Sequence, residues 1–177
     1  MDGSPIALKE ARRRGVITKC ADISNGLPYP DDSFEYVFAG EIIEHLMHTR
    51  TFLEEVNRVL KPQGVVIITT PNLARLEDRL RFLLGRTPKH TTPIHNYLYL
   101  HIRPFTMDSL KKALEFTGFI VERAESNYVY LGPLKASRLS RLLAIIFPSL
   151  GKTLVVKARK KWLKNTTSSE WALWFWF

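Results

Sequence analysis

The 177-residue chain contains a single cysteine, Cys20, which excludes an internal disulfide framework and a cysteine-built metal cluster. No apolar run approaches the ~18 residues of a membrane-spanning helix. The longest runs are Leu142–Phe147 and Trp171–Phe177. The opening stretch, MDGSPIALKEARRR, is charged and lacks the apolar core of a secretory leader. The nine glycines include no G-x-G pair. Acidic residues nearly vanish after Gly132, where Glu170 stands alone against nine Lys and Arg in 134–177. These absences predict a cytoplasmic protein of a reducing compartment.

What is present reads as globular. Hydrophobic residues make up 45% and charged residues 24%, a balance unlike that of disordered chains. The length suits one domain with a sizeable core. The net charge of +9 is uneven, because residues 1–60 carry seven Lys and Arg against ten Asp and Glu. Residues 61–133 carry ten against six, and the final quarter holds nearly all the excess. Such a tail either lies solvated or meets phosphate at a membrane surface or nucleic acid. No helix-turn-helix, zinc finger or aromatic RNA motif accompanies it, so no nucleic-acid partner is expected. The expected division is an α/β domain over 1–160 and a basic, aromatic tail over 161–177.

The pattern predicts a helix over 5–14, with Ser4 at its N-cap, Pro5 in its first turn and Gly15 at its stop. A strand is expected over 16–21, which would bury Cys20, and a loop over 24–33. A second strand follows over 34–39. The helix over 49–60 sets Phe52, Leu53, Val56 and Leu60 on one face. KPQG stops it, and the apolar run VVIITT at 65–70 reads as a parallel strand buried on both faces. A helix over 73–84, a loop over 85–104, a helix over 106–117 capped by Thr106 and a strand over 119–126 come next. A basic amphipathic helix over 134–147 and a last strand over 152–160 complete an open α/β sheet with helices on its faces.

Four pieces in order, LPYPDDSFEYV (27–37), EHL (44–46), RVLKPQG (58–64) and TTPN (69–72), resemble the class I S-adenosylmethionine (SAM)-dependent methyltransferases, in the branch that includes quinone-biosynthesis-type enzymes. HIRPFTMDSLKKALEFTGF (101–119) resembles the segment before that family's sixth strand, and Lys152–Lys157 its seventh. The resemblance spans about residues 2–125. It implies a Rossmann-like, open, mostly parallel sheet and SAM as cofactor. The implied activity is methyl transfer by in-line displacement to a small-molecule or lipid-like acceptor, with no metal required.

On the same resemblance, Asp2 is the acid that holds ribose, unless it sits in a frayed terminus. Asp22 accepts from the adenine amino group, unless it is a surface acid at a strand end, and Ile23 covers the ring. Ala39, Gly40 and Glu41 line the methionine end, small residues there letting the backbone approach. His45, His101 and Arg103 face the acceptor, where a histidine can take the proton that a nucleophile loses. The alternative for Glu41, Glu44 and His45 is a polar helix start. His45 and His48 lie at i and i+3, but with no third ligand in view a solvated pair is expected. His90, His95, Tyr97 and Tyr99 crowd the 85–104 loop, either as an acceptor-site lid or as a packed loop.

One departure has structural consequences. The family's first strand, its glycine-rich loop, the next helix and most of its second strand have no counterpart in this sequence. In the family order 3-2-1-4-5-7-6, strands one and two separate VITKCA from FEYVFA. Either VITKCA pairs directly with FEYVFA, or one strand keeps an open apolar edge that invites self-association. The expectation is an N-terminally truncated family member. The alternative function is a non-catalytic methyltransferase-like module acting through that edge, or through peripheral membrane contact by the basic helix and the WALWFWF end.

Overall fold

The structure, a computed structural model, describes residues 1–89, 101–132 and 137–162. The expected lid residues His90, His95, Tyr97 and Tyr99 lie outside them, as does the aromatic tail from 163 onward. In chain order the elements are α1 (Pro5–Arg13), β1 (Phe34–Gly40), α2 (Thr49–Val59), β2 (Leu60–Pro71), α3 (Leu76–Leu83), α4 (Met107–Phe116), β3 (Phe119–Ser126), α5 (Arg138–Ile146) and β4 (Thr153–Lys160).

The four strands form one sheet in the order β1-β2-β4-β3. β1 and β2 run parallel, while β4 runs antiparallel to both of its neighbours. The sheet is therefore open and mixed, and its order matches the 4-5-7-6 half expected from the resemblance.

Local chemistry sets the helix ends. The Ser4 side chain accepts from the Ala7 amide at 3.3 Å, capping α1, and Gly15 takes a left-handed φ of 79° beyond its end. Thr106 and Ser109 form a reciprocal capping box on α4. α2 ends where Leu60 turns extended, and β2 begins at that residue. α5 starts at Ser137, whose side chain caps it, so the described helix is shorter than the expected 134–147.

Register builds the core. Val37 and Ala39 of β1 sit opposite Val66 and Ile68 of β2, which sit opposite Ala158 and Val156 of β4. Residues opposite one another in a sheet share a face. That face packs against Phe52, Leu53 and Val56 of α2 and Leu110 and Leu114 of α4. The intervening residues Tyr36 and Phe38 point the other way and are 71% and 70% exposed.

Three expectations need correction. VITKCA forms no strand; its only ladder contact among the described residues is an isolated parallel bridge between Cys20 and Asp2. Ile17 is almost fully exposed, and Cys20 is exposed instead of buried in the core. β1 pairs only with β2 among the described residues, so the segment has no neighbour to complete a ladder. Of the two outcomes expected for the sheet the second holds: among the described residues the outer side of β1 is open. In α5, whose apolar face over Leu139, Leu142, Leu143 and Ile146 was expected either to cover the sheet or to rest on lipid, the buried residues are Ser140 and Ala144, while Leu139, Leu142 and Ile146 are about half exposed.

Candidate active site at the carboxyl ends of β1 and β2

The parallel pairing of β1 and β2 brings their carboxyl ends together, the position where open α/β sheets bind ligands. Beyond Gly40 the Glu41 amide donates to the Thr69 carbonyl at 2.9 Å, prolonging the ladder by one bond. Glu41 has a left-handed φ of 51°, an uncommon conformation for a residue with a Cβ, and it swings the chain into a short 3-10 turn, Ile43–His45. The turn drives the Glu44 carboxylate inward, where it is 2% exposed. Thr70 donates its hydroxyl to Glu44 Oε2 at 2.9 Å. Glu44 Oε1 has no hydrogen-bond partner and lies 3.8 Å from His45 Nε2.

A second segment closes onto this turn. The Arg103 amide donates to the Glu44 carbonyl at 3.0 Å, fixing residues 101–103 beside it. His101 then meets His45 edge to face, with ring centroids 4.8 Å apart. Burial pushes the His101 pKa down, and His45 adds to this against a smaller opposing effect of Glu41. Burial also pushes the Glu41 carboxyl up, and Glu44 adds to it; a hydrogen bond from Thr69 and the two histidines partly offset this. The His101 imidazole is thus held toward its neutral form, the form that accepts a proton or binds a cation.

Beside this cluster a cleft of about 450 Å³ runs along β1 from Phe34 to Gly40. Asp2, Ile23, Ala39 and Gly40 all line it, so four of the six expected cofactor residues converge. Asp2 is held by the bridge to Cys20, and its Oδ1 accepts from the Ser4 amide at 2.7 Å. A Cβ added to Gly40 would come within 2.6 Å of the Phe38 ring, so the strand end tolerates only a small residue while that ring stays in place.

Two expected residues lie elsewhere. Asp22 caps the turn Ile23–Asn25 by accepting from the Ser24 amide at 2.9 Å, a bond that lowers its pKa. It lines a neighbouring recess with Gly26 and Arg58, one that shares Leu27 with the cleft. Arg103 donates from Nη2 to the Met47 carbonyl at 3.3 Å and lines a separate hollow with Arg50 and Lys112. Glu41 stands at the rim, next to Gly40.

The buried pair Glu44 and Thr70 is what the sequence reading undervalued. Glu44 was weighed as part of a polar helix start, and Thr70 only as the end of an apolar strand. A hydroxyl on the core face of a strand, level with a glutamate after the neighbouring strand, is the signal that they meet.

Residues 1–68 match a family described as a methyltransferase domain. The fold resembles that of a SAM-dependent methyltransferase of Thermotoga maritima, described as a possible histamine N-methyltransferase, with a TM-score of 0.64 at 20% identity over 90% of this chain and 71% of that one. The fold of this chain is that of the class I SAM-dependent methyltransferases. Among its relatives, a protein of Mycolicibacterium smegmatis named a probable SAM-dependent methyltransferase is 37% identical over 68% of this chain. The ubiquinone/menaquinone biosynthesis C-methyltransferase of Desulfotalea psychrophila is 27% identical over 97% of it. The chain spans 42% of the length of the first relative and 61% of that of the second.

The cofactor of class I methyltransferases is SAM, and the lining of one wall of the cleft has the chemistry to suit an adenosyl group. It offers one acid at its mouth, an apolar wall that includes Ile23 and Leu27, and a strand end without side-chain bulk. The opposite wall, along the outer side of β1, is open among the described residues.

Proposed function

We propose that this class I methyltransferase domain transfers a methyl group from SAM to a small-molecule or lipid-like acceptor at the carboxyl ends of β1 and β2. The observation that carries the reading is the convergence of Asp2, Ile23, Ala39 and Gly40 on one cleft at the end of β1, the strand that leads directly into Glu41 and the turn holding Glu44 and His45. SAM, when bound, supplies the electrophilic methyl group. The chain's own residues bind and orient. Asp2 would hold the ribose hydroxyls, and Ile23 would cover the adenine. Ala39 and Gly40 would let the methionine end approach the backbone, with Glu41 at its margin. Asp22 would contribute through the turn it caps. His45 and His101 would face the acceptor, and Arg103 would hold the entry from its own hollow.

Acceptor size is supported by a hollow of about 970 Å³ lined by Leu73, Ala74, Phe82, Leu83, Pro88 and Thr106, immediately beyond the end of β2. Its lining is mostly apolar, which suits a ring bearing a hydrocarbon chain. The Desulfotalea relative's name points to quinone precursors of that kind. The test is transfer of labelled methyl from SAM to a panel of phenolic acceptors with and without a prenyl chain. Labelled product from the prenylated members supports the reading, and no product from any acceptor counts against it.

A second reading is favoured by the exposed side of β1, where Tyr36 and Phe38 lie open. On it the domain self-associates through that strand and acts as a binding module. Peripheral contact with a membrane would use α5, whose Leu139, Leu142, Ile145 and Ile146 are exposed beside Arg138 and Arg141. Among the described residues no helix is long and apolar enough to cross a membrane. The tail over 161–177 would add to such contact.

A further inference from the structure

We propose that Glu44, His45 and His101 form a binding site for one divalent transition-metal ion, of the zinc or cobalt class, at the acceptor side of the cleft. The sequence offered His45 and His48 without a third ligand. In the fold His48 is exposed ahead of α2, and the missing donors come from elsewhere: His101 from a segment 56 positions along the chain, and Glu44 from inside the turn.

Three independent features carry the assignment. First, one donor atom from each of the three residues lies within 4.8 Å of the others. Bonds of about 2.0–2.2 Å to a tetrahedral ion set donor atoms about 3.3 Å apart, so closure needs only small side-chain rotations. The His45 side chain is partly exposed. Second, Glu44 is 2% exposed, and its Oε1, which lies toward His45, has no hydrogen-bond partner. A buried carboxylate oxygen without a donor is costly, and a cation satisfies it directly. Third, the outer shell is already built. Thr70 holds Glu44 Oε2, and the Arg103 amide holds the Glu44 carbonyl, fixing the carboxylate and the histidine segment against each other.

Two imidazoles and one carboxylate suit zinc and its first-row neighbours and leave a coordination position open. An ion at this point would bind an acceptor oxygen and favour its deprotonated, nucleophilic form. That role rests on the function proposed above, whereas binding of the ion does not.

The experiment is titration of the full chain with Co²⁺, read by its visible absorption, followed by displacement with Zn²⁺. The variants are Glu44→Gln, His101→Ala and, as a control outside the site, His48→Ala. Folding of each is checked by circular dichroism. The expected result is one Co²⁺ per chain with the intense bands of a tetrahedral site, displaced by Zn²⁺. Affinity should fall more than tenfold in Glu44→Gln and His101→Ala and stay unchanged in His48→Ala. Glu44→Gln keeps the volume and an acceptor for Thr70, so it separates metal binding from packing. Absence of Co²⁺ binding in the folded wild type, or equal affinity in all variants, overturns the proposal. A separate SAM titration distinguishes the two readings: metal binding without SAM binding would sink the function and leave the site standing.

Discussion

Thr70, near the end of β2, and Glu44, 26 residues earlier in the turn after β1, meet as a buried hydroxyl–carboxylate pair at 2.9 Å. This bond ties the end of β2 to the turn after β1 and so fixes the floor of the candidate site. Thr70→Val removes the donor while keeping the shape. The carboxylate would then lose its hydrogen bond from Thr70, at an expected cost of about 1–3 kcal/mol. Thermal unfolding of Thr70→Val and Thr70→Ser checks it, with the serine variant retaining most of the stability.

Asn72, fully buried just after β2, is a clamp. Its Nδ2 donates to the carbonyls of Ser149 and Gly151 at 2.9 and 2.8 Å, and its Oδ1 accepts from the Ala74 amide. Those bonds hold the entry to β4 in the centre of the sheet. Asn72→Ala strands the buried Gly151 carbonyl and leaves the part-buried Ser149 carbonyl to Arg79 alone, and should cost about 1–3 kcal/mol, measured by urea unfolding. A loss below 0.5 kcal/mol would show that the clamp is dispensable.

Glu55 and Arg58 fasten the 24–33 loop to α2. Glu55 accepts from the Leu27 amide and from Arg58, while Arg58 also donates to the Leu27 and Tyr29 carbonyls and to Asp31. The hydrogen bonds from Arg58 hold the Glu55 carboxyl down at about 2. A carboxyl with a lowered folded-state pKa stabilises the fold above its unfolded value near 4.5, and that stability drains away as pH falls toward 2. Urea midpoints at pH 6, 4 and 3 should therefore decline, and Glu55→Gln should flatten the decline. A variant with the same pH profile as wild type would contradict the assignment.

How much of this was legible beforehand varies with range. Helix caps and stops are local, and Ser4, Thr106 and Gly15 announced theirs correctly. The β-branched run at 65–70 announced a central strand. The failure at VITKCA is instructive, since its composition suits a strand but a strand exists only with a neighbour. The site divides the same way. Asp2, Ile23, Ala39 and Gly40 were placed by an ordered motif set, and they do share a cleft. Asp22 was drawn off by a local capping bond that any aspartate before a tight turn can make. The grouping of Glu44 with His45 and His101 depends on residues 56 and 57 positions apart, and no spacing rule reports it.

The open side of β1 yields a further prediction. Tyr36 and Phe38 expose aromatic surface along a strand without an outer partner among the described residues. Sedimentation should show concentration-dependent association of the chain. Phe38→Lys, which places a charge on that strand, should shift the distribution toward monomer. A monomer at all concentrations would remove the self-association reading.

Isothermal titration of the chain with SAM tests the central claim most directly, because it reads the cleft without needing an acceptor. The account predicts a saturable one-to-one heat in the micromolar range, weakened at least tenfold (about 1.4 kcal/mol) by Asp2→Ala and by Gly40→Val. No heat from the folded chain, or binding that neither substitution alters, would contradict it.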